Sequence, residues 1–130
     1  MEKMEYNMAN NRIARTNDDI QFRVAGLLRE IKDPRLQQGM LSVTRVDTTG
    51  DLRYAKVWIS AYGLQDEKEF RKGLRSAAPW IRRELARSLN LRYTPELIFE
   101  LDHSIEYGAR INQMISELEI RQTEEEDPGL

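Results

Sequence analysis

The order of hydrophobic periodicities along this chain predicts an α+β domain, a three-stranded sheet with helices packed on one face. Three observations predict it. Helical stripes, with apolar residues three and four apart, occur before, between and after shorter alternating runs. Two of those alternating runs flank Thr49-Gly50-Asp51, a turn signal that joins them as an antiparallel hairpin. A third such run, Glu96 to Asp102, follows a long helical stretch, so the order is helix, strand, strand, helix, helix, strand, helix.

The first helix is expected to begin near Thr16, where Thr16 and Asp19 have the spacing of a capping box and Asp18 and Asp19 suit the positive end of the helix dipole. Ile20, Val24, Leu27, Leu28 and Ile31 form its buried stripe. Pro34 pushes Asp33 out of helical geometry and stops it. Strands follow at Leu41 to Thr48 and Arg53 to Tyr62. In the second, Ala55, Val57, Ile59 and Ala61 point to the core, and Tyr54, Lys56, Trp58, Ser60 and Tyr62 point away. The outward Tyr54, Trp58 and Tyr62 rings could stack on RNA bases, but a lone sheet needs cover, so the last helix or the N-terminal segment is the expected neighbour of these rings. Lys56 should pair across strands with Glu96 or Glu100.

From Arg71 to Leu91 two helical patterns meet at Ser76-Ala77-Ala78-Pro79. Phe70, Leu74 and Ala77 make one stripe and Ile81, Leu85 and Leu89 the other. Pro79 lacks an N–H and its ring clashes with the preceding turn, which predicts a kinked helix pair at Ser76–Pro79. In the last strand Leu97, Phe99 and Leu101 face the core. A final helix from Ser104 carries Tyr107, Ile111, Ile115 and Leu118 at helical spacing, and it should fray beyond about Glu117 because its acidic end opposes the dipole.

At 130 residues the chain suits one domain that buries a core without staples, and with no Cys it has no disulfide framework, thiolate nucleophile or zinc ribbon. Neither a signal-peptide core nor a membrane-length apolar run occurs, so a cytoplasmic protein without a membrane partner is expected. Residues 1–11 read as a flexible N-terminus, 12–118 as the folded domain and 119–130 as an acidic disordered tail. That tail distorts the charge balance. The last fifteen residues hold Glu117, Glu119, Glu124, Glu125, Glu126 and Asp127 against Arg121, in a chain of net charge −2.

The folded part is therefore basic, and its charge is concentrated. Between Lys68 and Arg92, the residues Lys68, Arg71, Lys72, Arg75, Arg82, Arg83, Arg87 and Arg92 stand against only Glu69 and Glu84. Most fall off the apolar stripes, so they form one positive surface suited to an anionic partner. By contrast, the sequence offers little catalytic chemistry. His103 is the only His, no nucleophile-elbow signature is present, and metal-ligand clusters and phosphate-binding glycine loops are missing.

Several motifs occur in order: Ile31-Lys32-Asp33-Pro34-Arg35-Leu36, Asp51-Leu52 with Ala55-Lys56-Val57, Ser76-Ala77-Ala78, Ile81-Arg82-Arg83-Glu84-Leu85, Thr94-Pro95-Glu96-Leu97, Ser104-Ile105-Glu106 and Gly108-Ala109-Arg110-Ile111. Together, from about Arg12 to Ile115, the chain resembles the bacterial ribosome-binding factor A family. The resemblance implies a KH-like fold of the second topology, with a nucleic-acid-binding helix pair kinked at an Ala-x-Gly step. It also implies a non-enzymatic, cytoplasmic monomer that needs no cofactor, binds 16S rRNA in the small ribosomal subunit and assists late maturation, particularly in the cold. Pro79 stands where the family has its kink glycine. No G-x-x-G is present, which fits this family and disfavours a generic KH reader of single-stranded RNA. On this reading Arg71, Lys72, Arg75, Arg82, Arg83 and Arg87 contact RNA phosphates, and Ser76, Ala77, Ala78 and Pro79 set the helix geometry. The rival readings are a single-strand RNA or mRNA regulator of KH type and a protein-interaction module whose basic helices hold an acidic partner.

Overall fold

The computed structural model describes the backbone of residues 2–126 and the side chains of 11–104 and 106–122. Its elements run α1 (Glu2–Glu30), a 3₁₀ turn (Pro34–Leu36), β1 (Met40–Thr48), β2 (Tyr54–Tyr62), α2 (Glu67–Ser88), β3 (Glu96–Leu101) and α3 (Ser104–Glu126). The sheet order is β1-β2-β3. β1 and β2 pair antiparallel from Met40 opposite Tyr62 to Thr48 opposite Ala55, and β2 and β3 pair parallel from Tyr54 opposite Glu96 to Ile59 opposite Leu101. Parallel neighbours need a crossover, which α2 supplies.

The core lies between the sheet and α1 and α2. Ala55, Val57 and Ile59 of β2 are fully buried, together with Ile20, Val24 and Leu27 of α1 and Phe70, Ile81 and Leu85 of α2. These are the inward positions that the alternating and helical patterns select. All three strands begin and end within one residue of their expected bounds.

Asp33 ends the first helical segment as Pro34 requires, with an extended backbone (φ −68°, ψ 121°). Its carboxylate accepts the Arg35 backbone N–H at 2.9 Å and the Arg35 guanidinium at 2.7 to 3.1 Å. The Arg35 side-chain bonds, and after them its backbone N–H, hold the Asp33 carboxyl below the usual carboxylate range. A carboxyl whose pKa is depressed by folding adds stability that is complete above its unfolded value, near 4, and is lost as pH falls through the folded value. The stability gap between the native protein and Asp33→Asn should therefore stay constant from pH 7 to 5 and narrow below pH 4. Urea denaturation at each pH measures it.

Three expectations are corrected. The first helix does not begin at Thr16: α1 starts at Glu2 and passes through the Thr16–Asp19 spacing. A cap sequence favours a start only where the preceding residues cannot continue the helix, and Glu2 to Arg15 contains neither Pro nor Gly. The expected helix pair is one element, because α2 runs unbroken from Glu67 to Ser88 with Pro79 inside it. Pro79 removes the N–H that would bond the Arg75 carbonyl, but Leu74, Ala77, Ile81 and Leu85 stay buried along one face on both sides of it. That shared burial outweighs the local defect, and a proline so placed bends a helix rather than ending it.

The third concerns the last helix, which continues to Glu126 instead of fraying near Glu117. Asp102 caps its start, accepting the Ser104 N–H at 2.9 Å and the Thr44 hydroxyl at 2.7 Å. Its stripe stays in solvent: Tyr107, Ile115 and Leu118 are all exposed. The side chains of Glu124, Glu125 and Glu126 and the whole of residues 127–130 lie outside the described residues.

The hairpin turn falls at Thr49-Gly50-Asp51, as expected. Leu52, not Gly50, takes the left-handed backbone conformation, with φ 60°. Asp51 organises the turn, accepting the Thr49 hydroxyl at 2.6 Å and the Arg53 N–H at 3.1 Å.

Candidate nucleic-acid interface

α2 sorts its residues by face. Phe70, Gly73, Leu74, Ala77, Ile81 and Leu85 are buried, while Arg71, Lys72, Arg75, Ser76, Pro79, Arg82, Arg83 and Arg87 are exposed and Ala78 is half-buried. The helix is fixed at both ends. Asp66 caps its start by accepting the Glu69 N–H at 3.1 Å, and Gln38 Oε1 in turn accepts the Asp66 N–H at 2.8 Å. At the far end the Ser88 hydroxyl donates to the Glu84 carbonyl at 2.6 Å and accepts Arg23 Nε at 2.7 Å. The cations therefore stand on a rigid element.

Their partners are weak or missing. Arg71 meets Glu67 at 3.3 Å, Lys72 meets Glu69 at 3.3 Å and Arg87 meets Glu84 at 3.4 Å, all on the surface of the same helix. Exposed pairs of this kind are worth roughly 0–1 kcal/mol, so a phosphate can displace them. Arg82 donates to the Thr94 carbonyl at 3.1 Å. Arg75 and Arg83 have no hydrogen-bond or ion-pair partner among the described residues.

The six predicted cations do not form one cluster. Arg71 and Arg75, with Ala78, line a groove of about 340 Å³ between the first half of α2 and the open edge of β3, floored by Leu74, Leu97, Phe99 and Leu101. Arg82 and Arg83 line a larger cleft of about 820 Å³ between the second half of α2, the β1–β2 hairpin and the α2–β3 loop. Lys72 and Arg87 line neither and stand on the exposed flank. Of the kink residues, Ala77 is buried in the core, Ala78 reaches the first groove, and Ser76 and Pro79 face solvent.

Sequence reasoning named Tyr54 as a ring that could stack on a base but missed the rest of the cleft: Arg53 from the hairpin and Tyr93 from the loop, with Arg92 lying over the Tyr93 ring at 5.6 Å. The adjacent Arg92-Tyr93 pair was the available signal. The outer sheet face also differs from expectation. Among the described residues no helix buries Tyr54 or Tyr62, which are 45% and 55% exposed, and Arg45, at 4.6 Å from the ring centre, and Lys56, at 5.2 Å, lie over Trp58. Cations cover the ring without burying the sheet. Lys56 does pair with Glu100, at 3.9 Å.

His103 sits between Glu67 Oε1, 3.1 Å from its Nε2, and Glu106 Oε2, 3.6 Å from its Nδ1, where it ties the start of α3 to the start of α2. Among the described residues no group of His, Cys, Asp and Glu could hold a metal ion, and no helix is long and apolar enough to cross a membrane.

This arrangement is shared with a known family. The sequence model described as ribosome-binding factor A matches residues 12–115. A ribosome-binding factor A from Caldanaerobacter subterraneus subsp. tengcongensis is 49% identical over 120 residues, covering 91% of this chain and 93% of that protein; one from Clostridium novyi is 49% identical over 113 residues, covering 85% and 93%. The crystal structure of ribosome-binding factor A from Thermus thermophilus superposes with a TM-score of 0.62 at 25% identity, over 68% of this chain and 94% of that one. A homology model of the Thermus thermophilus protein, fitted into a cryo-EM map of its complex with the 30S subunit, matches with a TM-score of 0.56 at 24% identity, over 65% and 89%. The α+β sheet with its crossover helix is thus the KH-like fold of these proteins, and the chain belongs to the ribosome-binding factor A family.

Proposed function

We propose that this chain is a non-enzymatic assembly factor that docks on immature small ribosomal subunits through 16S rRNA and assists their late maturation. The observation that carries the reading is the exposed cationic face of α2, where Arg75 and Arg83 stand unpaired beside two grooves. Arg71, Arg75, Arg82 and Arg83 would hold phosphates at the grooves, with Lys72 and Arg87 extending the field along the flank. Such contacts position a protein without reading bases, so selectivity would come from the shape of folded rRNA. Family membership supports the reading, as does the relative fitted to a 30S complex. We read the factor as a cytoplasmic monomer, with importance greatest in the cold, and its acidic end after Glu119 as a segment that keeps weakly attracted RNA off the basic face.

Sedimentation of a lysate tests it. The protein should travel with free 30S subunits and leave them as salt rises. Migration with mRNA-bearing fractions alone would favour a single-strand regulator, and migration with neither would favour a protein adaptor.

Pro79 offers a second test. Because it is exposed inside a continuous helix, Pro79→Ala restores the bond to the Arg75 carbonyl and should raise stability by up to about 3 kcal/mol in chemical denaturation. Subunit affinity should fall, since a bend imposed by the proline ring would set the angle between the Arg71–Arg75 and Arg82–Arg87 halves. Equal affinity of both proteins would show that the proline does not shape the docking face.

A further inference from the structure

We propose that the cleft beside the second half of α2 takes one unstacked nucleotide of a single-stranded RNA segment, its base against Tyr93 and Tyr54 and its phosphate at Arg83 and Arg53. This deepens the reading above and rests on it: docking along α2 supplies the strand, and the cleft adds a place where one base leaves the stack.

The cleft, at about 820 Å³, lies within the roughly 300–1,000 Å³ span of sites that enclose small ligands. Its chemistry is mixed as a nucleotide requires. Tyr93 is 60% and Tyr54 45% exposed, so both present ring surface for stacking without any rearrangement of the core. Three guanidinium groups, of Arg53, Arg82 and Arg83, face the cleft against two carboxylates, of Asp51 and Glu96. Asp51 is already engaged, accepting the Thr49 hydroxyl and the Arg53 N–H. Of the three cations, Arg82 is bonded to the Thr94 carbonyl and Arg53 stands 3.9 Å from Asp51, while Arg83 is without a partner among the described residues.

The walls are rigid. The Glu96 N–H donates to the Arg53 carbonyl at 2.8 Å, which joins the hairpin to the start of β3, and the Arg82 bond joins α2 to the loop that carries Tyr93. At the same wall Leu52 holds φ 60°, a conformation that L residues other than Asn and Asp rarely adopt and that concentrates at ligand-binding sites. A wall with a strained residue, unburied rings and a free cation is arranged for an occupant, not for packing.

Full-length protein should be titrated with a short single-stranded RNA carrying one 2-aminopurine, whose fluorescence reports stacking. Binding should change that fluorescence. Tyr93→Ala should weaken affinity about tenfold or more and remove the fluorescence change while leaving the slope of log affinity against log salt intact; Tyr93→Phe should behave as the native protein. Arg83→Ala should instead reduce that slope by about 1. Both residues are exposed, and unchanged melting curves confirm that the variants fold. Native affinity and fluorescence in a Tyr54→Ala/Tyr93→Ala double variant would overturn the cleft assignment, and would leave docking along α2 standing if the protein still co-sediments with 30S subunits. Adenosine monophosphate alone should bind weakly at most, because it lacks the strand's further phosphates; saturation by the mononucleotide with affinity equal to the RNA would overturn the assignment to a strand.

Discussion

Replacing Arg82, Arg83 and Arg87 together by Glu should abolish small-subunit binding while the domain remains folded. Hydrogen bonds to charged groups are worth roughly 1.5–3 kcal/mol each, so losing the two phosphate contacts of Arg82 and Arg83 should weaken binding by roughly a hundredfold or more, before the loss of Arg87 from the flank and the added repulsion of three carboxylates. The fold should survive because all three side chains are exposed, and their ties are one surface pair with Glu84 and one bond to the Thr94 carbonyl. Co-sedimentation with purified 30S subunits across a salt series, alongside circular dichroism, measures both. Binding that persists at moderate salt with an unchanged spectrum would remove the second half of α2 from the interface.

The largest expected effect on stability comes from Gly39. It precedes β1 with φ +61°, and a Cβ added there would stand 2.1 Å from the Tyr62 carbonyl oxygen. Left-handed geometry alone costs an L residue about 1–2 kcal/mol. The collision adds more, because its partner is backbone and Met40 is paired with Tyr62 at the end of the ladder, so relief requires moving both strands. Gly39→Ala should lose at least about 3 kcal/mol in urea denaturation. Gly50→Ala is the control, since its Cβ would meet nothing within 4 Å and its φ is not positive. It should be neutral or gain about 0.4–1 kcal/mol by restricting the unfolded chain. Equal effects of the two substitutions would mean that the β1–β2 end can shift freely.

The sheet was legible because its signal is local and repetitive. Alternation at Ala55, Val57, Ile59 and Ala61 names the buried face directly, and these four residues are buried. Pro79 was misread for the converse reason: a helix-breaking rule describes one residue and its turn, whereas continuity of α2 is decided by Leu74, Ala77, Ile81 and Leu85 against the rest of the core. The six predicted cations, all on α2, could be picked out by their offset from the apolar stripe. Their division into two grooves could not, because each groove's other wall is far away in sequence. Arg53 and Tyr93 meet only because β3 pairs with β2, a relation that no periodicity within either segment encodes. Likewise, alternation placed Trp58 on the outer face but could not say that Arg45 and Lys56 would lie over it.

The parallel pairing of β2 with β3 also orders events in time. β1 and β2 are joined by a short turn and can zip from Thr49 outward within microseconds, whereas β3 must wait until all of α2 has crossed the sheet. Both grooves depend on that late arrival, one for the β3 edge and the other for the loop leading into it. A nascent chain therefore displays its basic helix before it has either groove, and acquires them only when the residues through Leu101 have been synthesised and released. Pulsed hydrogen exchange reads this sequence of events at the Glu96 amide, whose bond to the Arg53 carbonyl should be protected after the hairpin amides and not before them.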